Sequence, residues 1–578
     1  DIISDLTFKT SFGMKYENYN GISFTYPNPE FTEGSFNNGM NEYFGFNKEW
    51  TWTNTINYRP SIGDDHSLNI LLGTEAISNR NRQISGRGNG FFTLESLDYF
   101  YLNATTNSQM PFGSGSVGSL FSMFGKADYS YKDRYILSAT VRRDGSSNFG
   151  ANNKYGVFPG LSGAWRISQE EFMSESIFDD LKFRAGYGVT GNQRIPANQY
   201  ANRFRVDLNT SSYPIGGTVA SGLWQSAYSN PDVKWEQVSA LNLGIDFSIL
   251  NGDIDGVIDW YSKKTKDMLF LVPLPAVAAG GAASPYVNVG DMSNKGIEVS
   301  LNYHYGRRND NPFKFDISAN FSRNVNEIVA LAPSITQQIY GSFRSMETSV
   351  LKQGQPLGAF YGYKVIGIYQ DASDLSNSPG YADGKARVGG LKYEDVNGDG
   401  TIDSEDRTVI GSPHPDFVYS FNFSASYKNF DFMAYFYGSQ GNENYEATRY
   451  FTDFGVFKGQ KSVRVLEEWS PTNKGSMIPS QVLDASPYEY ASSSYYVQDA
   501  SFLKLKNLQV GYNFNMRDNG AVKKLRMYFG VTNLFTITKY EGLDPEVTAT
   551  PSAYPALGVD FGVYPQSRQF MLGVSLGL

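Results

Sequence analysis

Runs of strictly alternating apolar and polar residues, many of them ten residues or longer, constrain this chain more than any other feature. In LKFRAGYGVTG, Leu181, Phe183, Ala185, Tyr187 and Val189 face one way, against Lys182, Arg184, Gly186, Gly188 and Thr190. In LNLGIDFSIL the apolar set is Leu241, Leu243, Ile245, Phe247 and Ile249. In FVYSFNFSASY it is Phe417, Tyr419, Phe421, Phe423, Ala425 and Tyr427. A period of two marks a strand whose two faces meet different surroundings. Strands of soluble sandwiches usually run roughly five or six residues. A tilted strand crossing a bilayer needs about 9–11.

The connections sort by length. Short turns are expected at Lys132-Asp133, Asn251-Gly252-Asp253 and Lys428-Asn429, with modest ones near Ser168–Asp179, Tyr305–Pro312 and Asn515–Val522. Between them lie long polar stretches, near Asp144–Lys154, Gly191–Lys234, Lys266–Asn294, Asn326–His414, Gly438–Asp499 and Lys539–Gln566. Short turns at one end of the strands and long loops at the other is the pattern of an antiparallel transmembrane β-barrel with short periplasmic turns and long extracellular loops. About sixteen strands are expected, from near Asp5 to Leu578. The last, Ser567–Leu578, carries Phe570, Leu572, Val574, Leu576 and Leu578 on one face and ends in Leu where many barrels end in Phe.

Composition agrees. Aromatic residues make up 15% and charged residues 19%, and no apolar run is long enough for a transmembrane helix. The mean hydropathy of −0.38 looks soluble, but alternation hides the hydrophobicity of a membrane barrel. A net charge of −9 makes nucleic acid a poor partner. Without cysteine there are no disulfides or thiolate metal sites. Three histidines, His66, His304 and His414, stand far apart and argue against histidine metal clusters and Ser-His-Asp chemistry. No catalytic residue is expected.

The segment 389–417 contains one motif with metal chemistry. Asp395, Asn397, Asp399 and Gly400 follow the spacing of an EF-hand-like calcium loop, with Asp406 in the twelfth position. Expected Ca2+ ligands are the side chains of Asp395, Asn397, Asp399, Asp403 and Asp406 and the carbonyl of Thr401. Asp in place of the usual bidentate Glu points to the weaker, extracellular end of the affinity range and to a structural staple. The competing reading is an Asx-rich turn without metal.

Other candidates have plainer readings. Glu170, Glu171, Asp179 and Asp180 read as a solvated acidic turn, because glycosidase chemistry needs two carboxyls held across a cleft. Arg142-Arg143-Asp144 is placed to pair charges at a strand end. Trp224, Tyr340, Phe343, Tyr361, Tyr363, Tyr488, Tyr490, Tyr495 and Tyr496 lie in polar loops. There they could stack on sugars, pack on peptides or simply pack the loops. The Ala278–Ser284 stretch, next to Leu271–Ala276, reads as an apolar loop tip.

The whole phrase GGLKYEDVNGDGTIDSEDRTVIGSPHPDF (Gly389–Phe417) resembles a loop of SusC/RagA-type TonB-dependent outer-membrane transporters. So do Tyr131–Gly150, Trp165–Ser168, Leu181–Gln193, Asn230–Glu236, Asn294–Tyr303, Ser501–Phe514, Val531–Glu546 and Tyr564–Phe570, in order along the chain. The resemblance implies a 22-stranded barrel in a Gram-negative outer membrane, contacting outer-membrane lipid. It also implies an N-terminal plug, energy from TonB–ExbB–ExbD and a SusD-like surface lipoprotein as a lid. The chain opens on Asp-Ile-Ile-Ser, so residues 1–578 are expected to be the C-terminal part of a transporter, with plug and first strands carried elsewhere. The expected function is import of oligomeric nutrients, glycan oligosaccharides first and oligopeptides second. A passive pore, an outer-membrane enzyme or a surface-binding barrel are the alternatives.

Overall fold

The structure, a computed structural model, describes residues 5–27, 37–90, 101–206, 212–271, 282–308, 311–332, 337–344, 346–516, 522–547 and 557–577. Sixteen strands form one antiparallel sheet, each bonded to its neighbours in sequence. They are β1 (Leu6–Thr25), β2 (Gly39–Tyr58), β3 (His66–Asn89), β4 (Asn107–Tyr131), β5 (Tyr135–Ser146), β6 (Tyr155–Arg166), β7 (Phe178–Asn192) and β8 (Glu236–Ile249). They continue as β9 (Ile254–Lys266), β10 (Gly290–Tyr305), β11 (Phe313–Leu331), β12 (Phe417–Tyr427), β13 (Phe430–Gln440), β14 (Phe502–Phe514), β15 (Lys524–Thr538) and β16 (Gln569–Gly577).

The short turns fall where turn chemistry put them. Lys132 and Asp133 take φ of 52° and 51°, Leu250 and Asn251 56° and 58°, and Lys428 53°, the left-handed values that tight reversals require. The long connections are 26–38, 90–106, 193–235, 267–289, 332–416, 441–501 and 539–568, whereas the stretch expected to be long at Asp144–Lys154 shortens to 147–154 because β5 runs on to Ser146. Two strands run further than expected: β10 starts at Gly290 and β11 ends at Leu331. Asparagine read as loop there, but Asn324 and Asn326 donate to Asn294 Oδ1 at 3.2 and 2.8 Å. Cross-strand amide pairs keep such polar residues in the ladder. Strands β1 to β4 are also long, from 20 to 25 residues, about twice the span a bilayer demands.

The chain divides into two compact units. In the first (Asp1–Ala164, Gly186–Ser239 and Lys266–Val289) the sheet exposes its apolar face. Phe12 is 66%, Leu72 56% and Leu161 62% exposed. Buried apolar residues gather where loops cross it, around Trp235, whose ring lies 5.0 Å from Phe149 and 5.4 Å from Phe158. Trp235 Nε1 donates to the Lys154 carbonyl and Asn230 Nδ2 to that of Tyr286, so the NPDVKWE segment ties loops together.

The second unit (Trp165–Ala185, Ala240–Thr265 and Gly290–Leu578) repeats this inversion. Ile258, Trp260, Leu301, Leu572 and Leu576 are exposed on one face. The other face carries ion pairs: Asp246 meets Lys182 at 2.5 Å and Arg184 at 2.7 Å, and Arg184 also reaches Asp259. His304 bridges Asp255 and Asp316 across β9, β10 and β11, and Arg526 pairs with Asp431. Exposed hydrocarbon on one face with paired charges on the other is the reverse of a water-soluble sheet, and it suits lipid outside and water within.

Candidate functional site

The connections 332–416, 441–501 and 539–568 build a folded assembly within the second unit. Short strands hold it. Ala359–Gly362 pairs with Thr408–Gly411, Val365–Ile368 with Leu391–Tyr393, and Gly380–Tyr381 runs parallel to Thr401–Ile402. Glu443–Glu446 pairs with Val497–Asp499 on one side and Val559–Asp560 on the other. Strands this short cannot stand alone; a core of tyrosines stabilises them.

Tyr369, Tyr393, Tyr445 and Tyr496 are wholly buried, packed with Phe360, Leu391, Ile402 and Trp469. Each phenol keeps a partner, as burial demands. Tyr393 donates to the Tyr488 carbonyl at 2.7 Å, Tyr369 to Pro379 at 2.5 Å and Tyr496 to Tyr490 at 2.9 Å. Burial, aided by Asp374, pushes the Tyr369 phenol up to about 12. Burial likewise drives Tyr393 and Tyr496 far above their ordinary range. These hydroxyls are neutral donors under all ordinary conditions.

Buried ion clusters brace the assembly, among them those centred on Glu489 and Lys504. Arg387 Nη2 donates to Glu489 Oε2 at 2.8 Å and to the Ser480 carbonyl at 2.7 Å. Arg387 Nε also lies 2.8 Å from Glu489 Oε1, off the line of a hydrogen bond. The Glu489 side chain is 1% exposed. Burial raises its carboxyl above the usual range, and Arg387 pulls it back. Lys504, equally buried, meets Asp544 at 2.6 Å and Glu546 at 3.0 Å. Nothing local in the sequence marks these groups, since their partners lie far along the chain.

The aspartate loop sits on this assembly, with flanking segments in strands Leu391–Tyr393 and Thr408–Gly411. Asp395 accepts from the amides of Gly398 at 2.7 Å and Gly400 at 2.8 Å. Asn397 accepts from Asp399, Asp399 from Thr401, and Asp403 from Glu405, the last two at 2.8 Å. Gly398 and Gly400 take φ of 77° and 84°, which lets the chain turn back around these carboxylates. Asp406 is fully buried and accepts from Val396 and Asp403. The twelfth position thus closes the loop from inside. Among the described residues, no three acidic or histidine side chains converge in a metal-holding group. The loop nevertheless presents Asp395, Asn397, Asp399, Asp403 and the Thr401 carbonyl in one preformed turn.

The other sequence candidates disperse. Tyr361, Tyr363, Tyr495 and Tyr496 are buried in the core, while Phe343, Tyr488 and Tyr490 pack partly buried against it, so their role is loop packing. Trp224 is half-buried on the short strand Leu223–Ala227; the Tyr340 side chain lies outside the described residues, as do residues 272–281 of the apolar tip. Arg142 pairs with Asp144 at 2.7 Å and Glu75 at 3.0 Å, and Arg143 stacks 4.0 Å over Tyr155. Glu170, Asp179 and Asp180 accept from Trp165, the Gly252 amide and Ser168, so these acids organise a turn. His66 meets Tyr129, and His414 meets the Leu357 carbonyl.

Comparison with known proteins adds to this geometry. The family model described as TonB dependent receptor-like, beta-barrel matches residues 3–534. The chain is 32% identical to TonB-dependent receptor P3 of Formosa agariphila, an alignment covering 100% of this chain and 57% of that protein. It is 31% identical to TonB-dependent receptor SusC of Bacteroides thetaiotaomicron, over 98% of this chain and 52% of that one. Among solved structures it is similar to the RagAB peptide transporter, with a TM-score of 0.81 and 27% identity over 99% of this chain and 60% of the other. The chain spans about half the length of the curated relatives it matches.

Proposed function

The chain belongs to the TonB-dependent receptor β-barrel family, and from that premise we propose that it forms the wall and extracellular loops of an energised importer in a Gram-negative outer membrane. The observation that carries this reading is the two-faced sheet: in the first unit Phe12, Leu72 and Leu161 are exposed on the apolar face, and in the second Ile258 and Trp260 are exposed opposite the face that carries the Asp246–Arg184–Asp259 lattice. The apolar face meets lipid and the polar face lines the path of the substrate. The tyrosine-cored loops form a rigid extracellular mouth. A SusD-like lipoprotein closes over it, and a plug driven through TonB–ExbB–ExbD opens the way below. The chain supplies walls and loops to this cycle and performs no covalent chemistry.

The substrate is an oligomer too large for a porin. Oligosaccharides are the first reading. Oligopeptides are the second, and the likeness to the RagAB peptide transporter supports them. The test uses the full-length protein in native outer membranes, purified in mild detergent, with uptake of labelled oligosaccharides and oligopeptides followed in cells. Copurification of a surface lipoprotein and TonB-dependent uptake of one class support the importer. Uptake that persists without TonB supports a passive pore and overturns the proposal.

We further propose that the aspartate loop takes Ca2+ through Asp395, Asn397, Asp399, Asp403 and the Thr401 carbonyl. The D-x-N-x-D-G spacing and the preformed turn support it. Asp406 serves chiefly as the inner staple, so affinity falls at the weak, extracellular end, about 10⁻⁴–10⁻³ M. Asp399→Ala with Asp403→Ala is expected to abolish the protection that millimolar Ca2+ gives residues 389–417 against protease. Equal protection with and without Ca2+ in the unsubstituted protein would remove the metal and leave an Asx-rich turn.

A further inference from the structure

We infer that Lys48, Arg80 and Arg82 form a docking surface for the phosphate-bearing headgroup of a membrane lipid. The inference rests on the reading that the apolar face of the sheet meets the bilayer. The register is unbroken from β1 to β3 through this region, so faces can be assigned residue by residue. Directly paired residues share a face: Phe12, Trp52 and Ala76 form one row, and Met14, Trp50 and Ser78 the next. Tyr16, Lys48 and Arg80 follow, then Asn18, Phe46 and Arg82. All three cations therefore stand on the same face as exposed Phe12, Trp52 and Leu72.

Their height matches a headgroup layer. Tyr58 marks the other end of β2, and Lys48–Tyr58 covers roughly 33 Å of strand at ~3.3 Å per residue. At a tilt of roughly 45° that is about 23 Å of bilayer, close to the apolar band of outer-membrane barrels. Trp50 and Trp52 sit just inside this limit, where aromatic girdles lie.

Charge selects the occupant. Lys48, Arg80 and Arg82 are exposed and make no ion pair among the described residues, although ion pairs are common elsewhere in the molecule. Glu49, next to Lys48, and Glu17, beside Tyr16, turn to the opposite face, where Glu17 pairs with Lys15. The acid on the same face of β2 is Glu42, beyond Phe46 and Phe44. Three unneutralised cations that interrupt this apolar face, with Phe44 and Ile84 exposed beyond them, attract anionic headgroups. Nearer the turn end of the strands, the same face opens a groove of about 640 Å³ lined by Phe8, Ile56, Leu72, Met123 and Val141. Gly125, paired with both Leu72 and Val141, leaves the gap, which lies near the Tyr58 end and is no part of the headgroup site.

The test uses the full-length transporter. Its equilibrium binding of fluorescent dioleoyl phosphatidic acid is compared with that of dioleoyl phosphatidylcholine, at low and high salt. A preference for phosphatidic acid of about tenfold or more is expected, weakening with salt. Lys48→Gln with Arg80→Gln and Arg82→Gln should reduce that preference to about twofold or less, while Arg80→Lys with Arg82→Lys retains it. No preference in the unsubstituted protein, or a preference unchanged in the triple variant, overturns the headgroup site. Incorporation into phosphatidylcholine vesicles is measured alongside. Protein that incorporates without the preference refutes this inference alone; protein that does not incorporate refutes the membrane reading beneath it.

Discussion

Arg387→Met is expected to destabilise the extracellular loop assembly by about 3–5 kcal/mol, because it leaves the Glu489 carboxylate buried without its counter-charge. The loss should appear as faster protease cleavage and faster amide exchange across residues 365–393 and 480–496 of the full-length protein. Its pH dependence gives a second readout. Burial already raises the Glu489 carboxyl above its unfolded value, and removing Arg387 raises it further. The folded state then holds a proton that the unfolded state releases. Stability therefore falls as pH climbs from the ordinary carboxylate range through the raised value. The variant should lie closest to the unsubstituted protein near pH 5 and furthest from it above pH 7. Adding Glu489→Leu should recover most of the loss, since an apolar pair can replace a buried ion pair at little cost. A variant as stable as the parent at pH 8 would mean the pair contributes nothing to the assembly.

The second large effect concerns a residue that looks expendable. Phe12 is 66% exposed, and in water its replacement by arginine would shift stability by no more than about 0.5 kcal/mol. Phe12 pairs with Trp52, about midway along Lys48–Tyr58, and on a lipid-facing strand the same change costs about 2–4 kcal/mol near the bilayer midplane. Asn79, on the opposite face of β3, makes the control, because arginine there stays in water. Folding titrations of the full-length protein into vesicles should show Phe12→Arg strongly destabilised and Asn79→Arg close to the parent. Equal, small effects at both positions would mean that the apolar face does not meet lipid.

Much of this architecture was legible because the signals are local. Alternation such as Leu241, Leu243, Ile245 and Phe247 is a property of neighbouring residues, and a backbone with period two converts it into two faces whatever else the chain does. Turn positions at Lys132, Asn251 and Lys428 were likewise readable, since left-handed geometry is a demand on the turn residues themselves. The strand ends were less legible. Asn294 and Asn326 stay in β-structure only because each finds an amide across the ladder.

The sequence by itself therefore determined the fold class, the sixteen strands, the sorting of short turns from long loops and the family. It also marked Asp395–Asp406 as a turn built from carboxylates. Only the tertiary structure decided which loop aromatics were free. The sequence left Tyr361, Tyr363, Tyr495 and Tyr496 open between stacking on a ligand and packing the loops; they are buried, the last three within the core of the assembly. Only the tertiary structure could pair Arg387 with Glu489, enclose Lys504 between Asp544 and Glu546, and set Lys48 beside Arg80. The reason is the same in each case. Burial and pairing depend on contacts between residues far apart in the chain, and those contacts exist only once the register and the loop packing are set.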